Sequence, residues 1–311
     1  LDPSNVGRLA VFAGVTPVSV GGDSITGSIV AETPPPRFAR PGEGSLLAGE
    51  IGAYYRSNGN AFGGNLAATY ATESFSITYT GATAESDNLR AGRDFKTSAV
   101  TGRPGHALPL DEIGSSAYES RNHELGIAFT GGGHLVEAKV GYQDIPFELW
   151  PNQRMDMLGN EQRRLNLRYA GKFAWGALEA RAWREEVEHF MDFGADKRYW
   201  YAADSGGPAA PDGTPCSPIG PTCAAGMPMN TESTNTGVVV KGSVDLSERD
   251  LVRVGAEYQR YRLDDWWPAS GGGMWPNTFR NVNDGKRDRT AVYAEWEGRP
   301  DPRWTTLAGV R

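Results

Sequence analysis

Apolar and polar residues alternate along most of the chain, most clearly around residues 160–190. Two runs there share the pattern, with Leu165, Leu167 and Tyr169 against Arg164, Asn166 and Arg168, and then Leu178, Ala180 and Ala182 against Glu179, Arg181, Trp183 and Glu185. A period of two predicts β-strands with one apolar and one polar face. Because only about four residues, 171–174, separate the runs, we expect them to pair as an antiparallel hairpin.

The same period recurs from Ser45 to the end of the chain and predicts about eleven strands. From the second strand on, their connections alternate in length: short turns are expected at 72–73, 131–133, 171–172, 247–250 and 299–302, and long loops at 86–118, 144–160, 191–230 and 264–286. The first hairpin, at 58–60, is also short and breaks this pattern once. Short turns at one end and long loops at the other are typical of an outer-membrane barrel. Charges on the polar face also favour a wide barrel with a wet inner wall, since a packed core does not tolerate unpaired charges. We therefore predict an all-β fold, an antiparallel transmembrane β-barrel formed in part by this chain, with a soluble β-sandwich or propeller as the alternative.

The beginning of the chain differs from the strand series. Two short strands are predicted around a glycine turn within 1–33. The prolines Pro34, Pro35 and Pro36 then end any sheet pairing, because proline has no backbone donor. We interpret 1–33 as the end of a small domain and 34–44 as a linker.

Composition supports a β-rich chain, with 40 Gly, 12 Tyr, 11 Phe and 9 Trp. The net charge of −7 and the lack of a basic cluster argue against nucleic acid as a partner. No run of about 18 apolar residues exists, which excludes a transmembrane helix. Cys216 and Cys223 lie in a Gly/Pro-rich loop and are expected either to close a small disulfide loop in an oxidising compartment or to remain free thiols.

Residues 17–33, with the sequence PVSVGGDSITGSIVAET, resemble the end of the plug domain of TonB-dependent outer-membrane receptors. Thr26 stands where glycine is common in that family. The resemblance covers the whole chain and implies a fragment: the end of a plug in 1–33, a linker in 34–44, and in 45–311 the N-terminal half of a barrel of about 22 strands. It also implies a place in the bacterial outer membrane among its lipids, a metal or metal chelate as substrate, and coupling to the TonB–ExbB–ExbD system through a region before Leu1.

Within that family the chain is most similar to the copper receptors, through the segments 152–157, 188–192 and 226–229. In such receptors a His-x-Met of the barrel is joined by a Cys-x-x-x-Met of the plug. The first part maps onto His189 and Met191, and the second would lie before Leu1. His189 and Met191 share one face of a strand, and imidazole and thioether suit Cu(I). Four further methionines are expected at the long-loop end, either as ligands or as packing residues: Met155, Met157, Met227 and Met229.

The resemblance makes copper the expected substrate and implies no resident cofactor. Trp266, Trp267 and Trp275 are expected either to bind a ligand with their rings or to anchor the chain at the membrane interface. If they bind a ligand, the alternative function is that of a ferric-siderophore receptor of the same family. From a different class, a soluble or surface-attached β-domain could use them to bind carbohydrate. No phosphate loop, zinc spacing or nucleophile motif occurs, so the chain is not expected to be an enzyme. The other histidines stand alone and are expected at the surface or in turns: His106, His123 and His134.

Overall fold

The computed structural model describes residues 5–21, 26–101, 105–197, 226–271, 275 and 277–311, and the backbone of the strands in 200–202, 207–208 and 223–225. In chain order the strands are β1 (Arg8–Ala13), β2 (Gly27–Glu32), β3 (Ser45–Arg56), β4 (Ala61–Thr72), β5 (Phe75–Ser86), β6 (Leu89–Arg90), β7 (Glu112–Ile113), β8 (Tyr118–Gly131), β9 (His134–Glu148), β10 (Asp156–Phe173), β11 (Gly176–Asp192), β12 (Trp200–Ala202), β13 (Gly207–Pro208), β14 (Cys223–Ala225), β15 (Met229–Asp245), β16 (Asp250–Trp267), β17 (Phe279–Asp301) and β18 (Trp304–Val310). A 3₁₀ turn lies at Asn58–Asn60. Within the described residues, no helix is both long enough and apolar enough to cross a bilayer.

Eleven strands form one antiparallel sheet, in the order β18-β17-β16-β15-β11-β10-β9-β8-β5-β4-β3. Each strand therefore pairs with the sheet strands before and after it in sequence, and the prediction of about eleven strands is confirmed. From the 12 residues of β3 to the 23 of β17, these strands exceed the roughly 9–11 residues that a tilted strand needs to cross a bilayer. Only β18, with 7 residues, is shorter. The edge strands β3 and β18 do not pair with each other, so the sheet is open.

The connections alternate in length as predicted, but several of their bounds are shifted. Short turns at one end occupy 73–74, 132–133, 174–175, 246–249 and 302–303, whereas the other end carries 57–60 and the long connections 87–117, 149–155, 193–228 and 268–278. The turns placed at 171–172 and 299–302 are thus wrong, because backbone pairing continues to Phe173↔Gly176 and Asp301↔Trp304. The loop placed at 144–160 is also too long. Residues 144–148 belong to β9 and residues 156–160 to β10, because strand pairing can continue into water beyond the apolar part of a strand.

The two faces of the sheet differ as the alternation predicts. Outward apolar side chains are exposed, with 83% for Leu47 and 82% for Ile51, and Val238 and Val254 are exposed as well. On the opposite face, charged residues form ion pairs, and Glu295 is only 2% exposed. A sandwich would bury its apolar face against a second sheet, so the soluble sandwich alternative is wrong. An apolar outer face with a polar inner wall is the arrangement of an outer-membrane barrel.

The hairpin β1–β2 and its flanking residues lie against the polar face. The backbone N–H and the Oγ of Ser19 donate to the Glu295 carboxylate at 3.2 and 2.8 Å. Farther along the sheet, Lys139 Nζ donates to Thr33 Oγ1 at 2.7 Å. The end of a plug is expected on this polar face of the sheet. The division into 1–33, 34–44 and 45–311 stays a prediction.

Candidate substrate site at the long-loop end

The strands β10, β11 and β15 carry the predicted ligands to one end of the sheet. β10 and β11 form a hairpin, and β11 pairs with β15 although the connection 193–228 separates them in sequence. Residues directly opposite each other in an antiparallel pair lie on the same face and in contact distance. The register of these pairs therefore decides which candidate ligands meet.

Three of the predicted methionines form a row across these strands. Met157 is the register partner of Met191, and Met191 is the partner of Met229. A β-bulge between Met157 and Gly159 inserts one extra residue, Leu158, and brings Met157 opposite Met191. Met157 is 5% exposed. The register thus places these three methionines next to one another across β10, β11 and β15, and Met191 lies on the same face as the charged residues of β11.

His189 lies in the next row on the same face, two residues before Met191. Its register partners are Asn160 on β10 and Thr231 on β15. The His189 Nδ1 lies 3.1 Å from Asn160 Oδ1. Because an amide oxygen only accepts, Nδ1 carries the proton and donates. Nε2 is then the nitrogen that can bind a metal ion.

Met155 and Met227 do not belong to the methionine row. Both pack against Phe193, which is buried at 5% exposure. The Arg154 guanidinium lies 5.9 Å from the centre of the same ring. This contact corresponds to the packing role that was the alternative for these two methionines, and their role as ligands stays a prediction.

Two of the three predicted tryptophans come together. The Trp267 and Trp275 rings meet edge to face at 5.6 Å, and Trp275 stacks on Phe279 at 4.3 Å. The Trp275 Nε1 is buried without a hydrogen-bond partner. Trp266 neighbours Trp267 in β16 and therefore points to the opposite face. Phe279 was not among the predicted residues, because it follows a long connection and only its pairing with Trp267 reveals its place.

The buried carboxylate of Asp156 contacts three of the long connections next to the methionine row. Asp156 is fully buried and accepts hydrogen bonds from Ser115 Oγ at 3.0 Å and from the backbone N–H groups of Trp150 and Gly194 at 2.9 and 3.2 Å. Its Oδ1 also pairs with Lys197 Nζ at 2.7 Å. Three separate connections, 87–117, 149–155 and 193–228, thus meet at one side chain.

A second carboxylate, Asp196, extends this network. It accepts from the backbone N–H of Ser115, from Asn88 Nδ2 and from His106 Nε2, each at 2.7 Å. Burial is the largest influence on its pKa and acts to raise it, but the three donors together outweigh burial and hold the pKa of Asp196 below its usual value. His106, expected as a surface or turn histidine, is therefore a partner in the loop network.

No group of three or more His, Cys, Asp or Glu side chains suited to a metal ion occurs in the described part of the chain. Cys216 lies outside the described residues, as does the side chain of Cys223, so the disulfide stays a prediction.

No protein-family model and no curated protein matches the sequence. Solved structures match its fold. The chain aligns with the copper transporter OprC over 99% of its own length and 43% of that chain, at a TM-score of 0.72 and 18% identity. The FrpB iron transporter from Neisseria meningitidis (F3-3 variant) aligns over 99% and 52%, at 0.62 and 15%. The ferric yersiniabactin uptake receptor FyuA from Yersinia pestis aligns over 98% and 51%, at 0.52 and 11%. The chain has the fold of the TonB-dependent outer-membrane receptors.

This receptor fold is spanned only in part, since the chain covers 43–52% of the length of these three structures. All three are transporters or uptake receptors, and for this chain the expectation that it is not an enzyme stays a prediction. Their substrates differ, and at 11–18% identity the similarity establishes the receptor fold without selecting among them.

Proposed function

We propose that the chain is part of a TonB-dependent receptor that imports a scarce substrate across the bacterial outer membrane. An apolar outer face suits contact with lipid, and a polar inner wall suits a path for a solute. The contacts of Ser19 and Thr33 with the polar face support the assignment of 1–33 to the end of a plug that closes such a path. In the complete receptor, the TonB–ExbB–ExbD system acts through the N-terminal region and moves the plug, which releases the substrate into the periplasm.

We further propose that the substrate is copper. The observation that carries this proposal is the row of Met157, Met191 and Met229, with His189 in the next row on the same face. Because neighbouring strands lie about 4.8 Å apart, adjacent thioethers can hold one ion between them. Thioether and imidazole ligands favour Cu(I) over harder cations such as Mg²⁺.

The test is metal binding by the complete receptor purified from outer membranes. Ag⁺ is a suitable probe, since it is a soft monovalent ion that does not change oxidation state under the assay conditions. We expect His189→Ala combined with Met191→Ala to weaken Ag⁺ binding at least about tenfold, because it removes two neighbouring ligands. Isothermal titration calorimetry measures the change.

Met155→Leu combined with Met227→Leu is the matched control. It removes the same number of candidate ligands, but from side chains that pack on Phe193. Ag⁺ affinity should stay within about twofold of the unaltered receptor, since Leu and Met have similar volumes. Equal losses in the two double variants would contradict the assignment of the site.

A ferric-siderophore receptor is the second candidate, and the aromatic group favours it. Trp267, Trp275 and Phe279 form a compact aromatic group. For this function, Trp267→Ala should weaken binding of a ferric hydroxamate or catecholate at least about tenfold, since aromatic contacts are typical binding hot spots. Quenching of tryptophan fluorescence reports the binding. No binding of either chelate by the unaltered receptor, together with tight Ag⁺ binding, would reject this candidate.

A further inference from the structure

Close to the proposed copper site, one carboxylate oxygen of Asp265 has no hydrogen-bond partner. Its Oδ2 accepts a hydrogen bond from Asn281 Nδ2 at 2.9 Å, which orients the carboxylate. Its Oδ1 is shielded from solvent and has no hydrogen-bond partner. Burying a carboxylate oxygen away from water without a hydrogen-bond partner costs free energy. The position is therefore suited to a cation that arrives from outside the chain.

The register places this carboxylate on the histidine row. His189 pairs with Thr231 on β15, and Thr231 pairs with Asp265 on β16. All three side chains lie on the same face, and the charge of Asp265 acts on the His189 imidazole. Two strand spacings amount to about 10 Å between the backbones. The Thr231 side chain between them is short, so the longer imidazole and the carboxylate can approach one ion above it.

We propose that Asp265 is a metal ligand that, together with His189 and flanked by Thr231, forms a site for a divalent transition-metal ion such as Cu²⁺. This inference rests on the copper function proposed above and adds a second kind of site to it. The methionine row offers soft thioethers, which favour Cu(I). The histidine row offers imidazole and carboxylate, which are suited to Cu²⁺.

The sequence gives no sign of this ligand, because Asp265 is more than seventy positions after His189 and belongs to no spacing motif. Asp264, its neighbour in β16, points to the opposite face and accepts a hydrogen bond from the backbone N–H of Asp284 at 2.8 Å. It therefore provides a matched control with the same charge and the same strand.

The experiment titrates the complete receptor with Cu²⁺ and, separately, with Ag⁺. Asp265→Asn keeps the shape and the contact with Asn281 but removes the charge. We expect it to weaken Cu²⁺ binding at least about tenfold and to change Ag⁺ binding less than about threefold. Asp264→Asn should leave both affinities unchanged. The electron paramagnetic resonance spectrum of bound Cu²⁺ should also change in Asp265→Asn, since the ligand set of the ion is altered.

The outcomes separate this inference from the function on which it rests. Unchanged Cu²⁺ binding and an unchanged spectrum in Asp265→Asn would overturn the inference, while loss of Ag⁺ binding in the His189 and Met191 double variant would still support copper transport. Equal weakening of both ions by Asp265→Asn would also overturn it, since that result indicates a structural role. If the unaltered receptor binds neither ion, the copper function and this inference both fail.

Discussion

Asp156 is the side chain on which the order of the long connections depends most. It is fully buried, and its Oδ1 holds Lys197 Nζ, which is itself largely buried. Removing one partner of a buried pair leaves an uncompensated charge, whereas an exposed pair contributes little. An aspartate therefore contributes little to stability where its ion pair is exposed and more where the pair is buried.

Asp156→Ala should destabilise the complete receptor by about 3–5 kcal/mol, since it leaves Lys197 buried and unpaired. Hydrogen–deuterium exchange should show faster exchange in 105–117, 149–155 and 193–197, the segments that meet at Asp156. The unfolding midpoint in detergent measures the loss of stability.

Asp144→Ala is the comparison for this prediction, because Asp144 pairs with Arg121 at 3.1 Å on an exposed surface. It should cost no more than about 1 kcal/mol. Adding Lys197→Met to Asp156→Ala should restore part of the stability, since the unpaired charge is gone. A similar cost for Asp144→Ala and Asp156→Ala would contradict this account of the network.

At the level of strands, the sequence determines which side chains share a face, but not which strands meet. The alternation through Leu165 and Leu167 suffices to predict β10 and its outward side, because the pleat alone sets this period. That β10 and β11 pair as a hairpin also follows from the sequence, because a short turn joins them. Its register does not, since the turn lies at 174–175 and not at 171–172. The pairing of His189 with Thr231 could not be predicted, because the long connection 193–228 sets no register. Asp265 was missed for the same reason.

The pattern of polar and apolar residues also does not predict where the strands end. Polar residues above the apolar belt were predicted to be loop, yet β9 and β10 continue through them. In water either a strand or a loop satisfies the backbone there, so polarity does not decide between them. The bulge at Leu158 is invisible in the pattern as well. It nevertheless decides that Met157 faces Met191.

For the whole molecule, the open sheet leads to a prediction about the chain on its own. In the part of the chain that the structure describes, the edge strands β3 and β18 have no partner on their outer sides, and the outward face exposes apolar side chains such as Leu47, Ile51 and Val254. Unpaired strand edges and a broad apolar surface promote association in water. Within a bilayer, each unpaired backbone group costs several kcal/mol, so only a closed barrel is stable there.

The 311-residue chain expressed alone should therefore aggregate without detergent, and with detergent it should not show the heat-modifiable gel mobility of a closed barrel. The proposed complete receptor should show that mobility, because a barrel closed by further strands would leave neither edge unpaired. Size-exclusion chromatography and gel electrophoresis with and without heating distinguish the two. A monomeric, soluble chain that unfolds cooperatively without detergent would show that its apolar face is covered in some other way, and the assignment of that face to lipid would then be wrong.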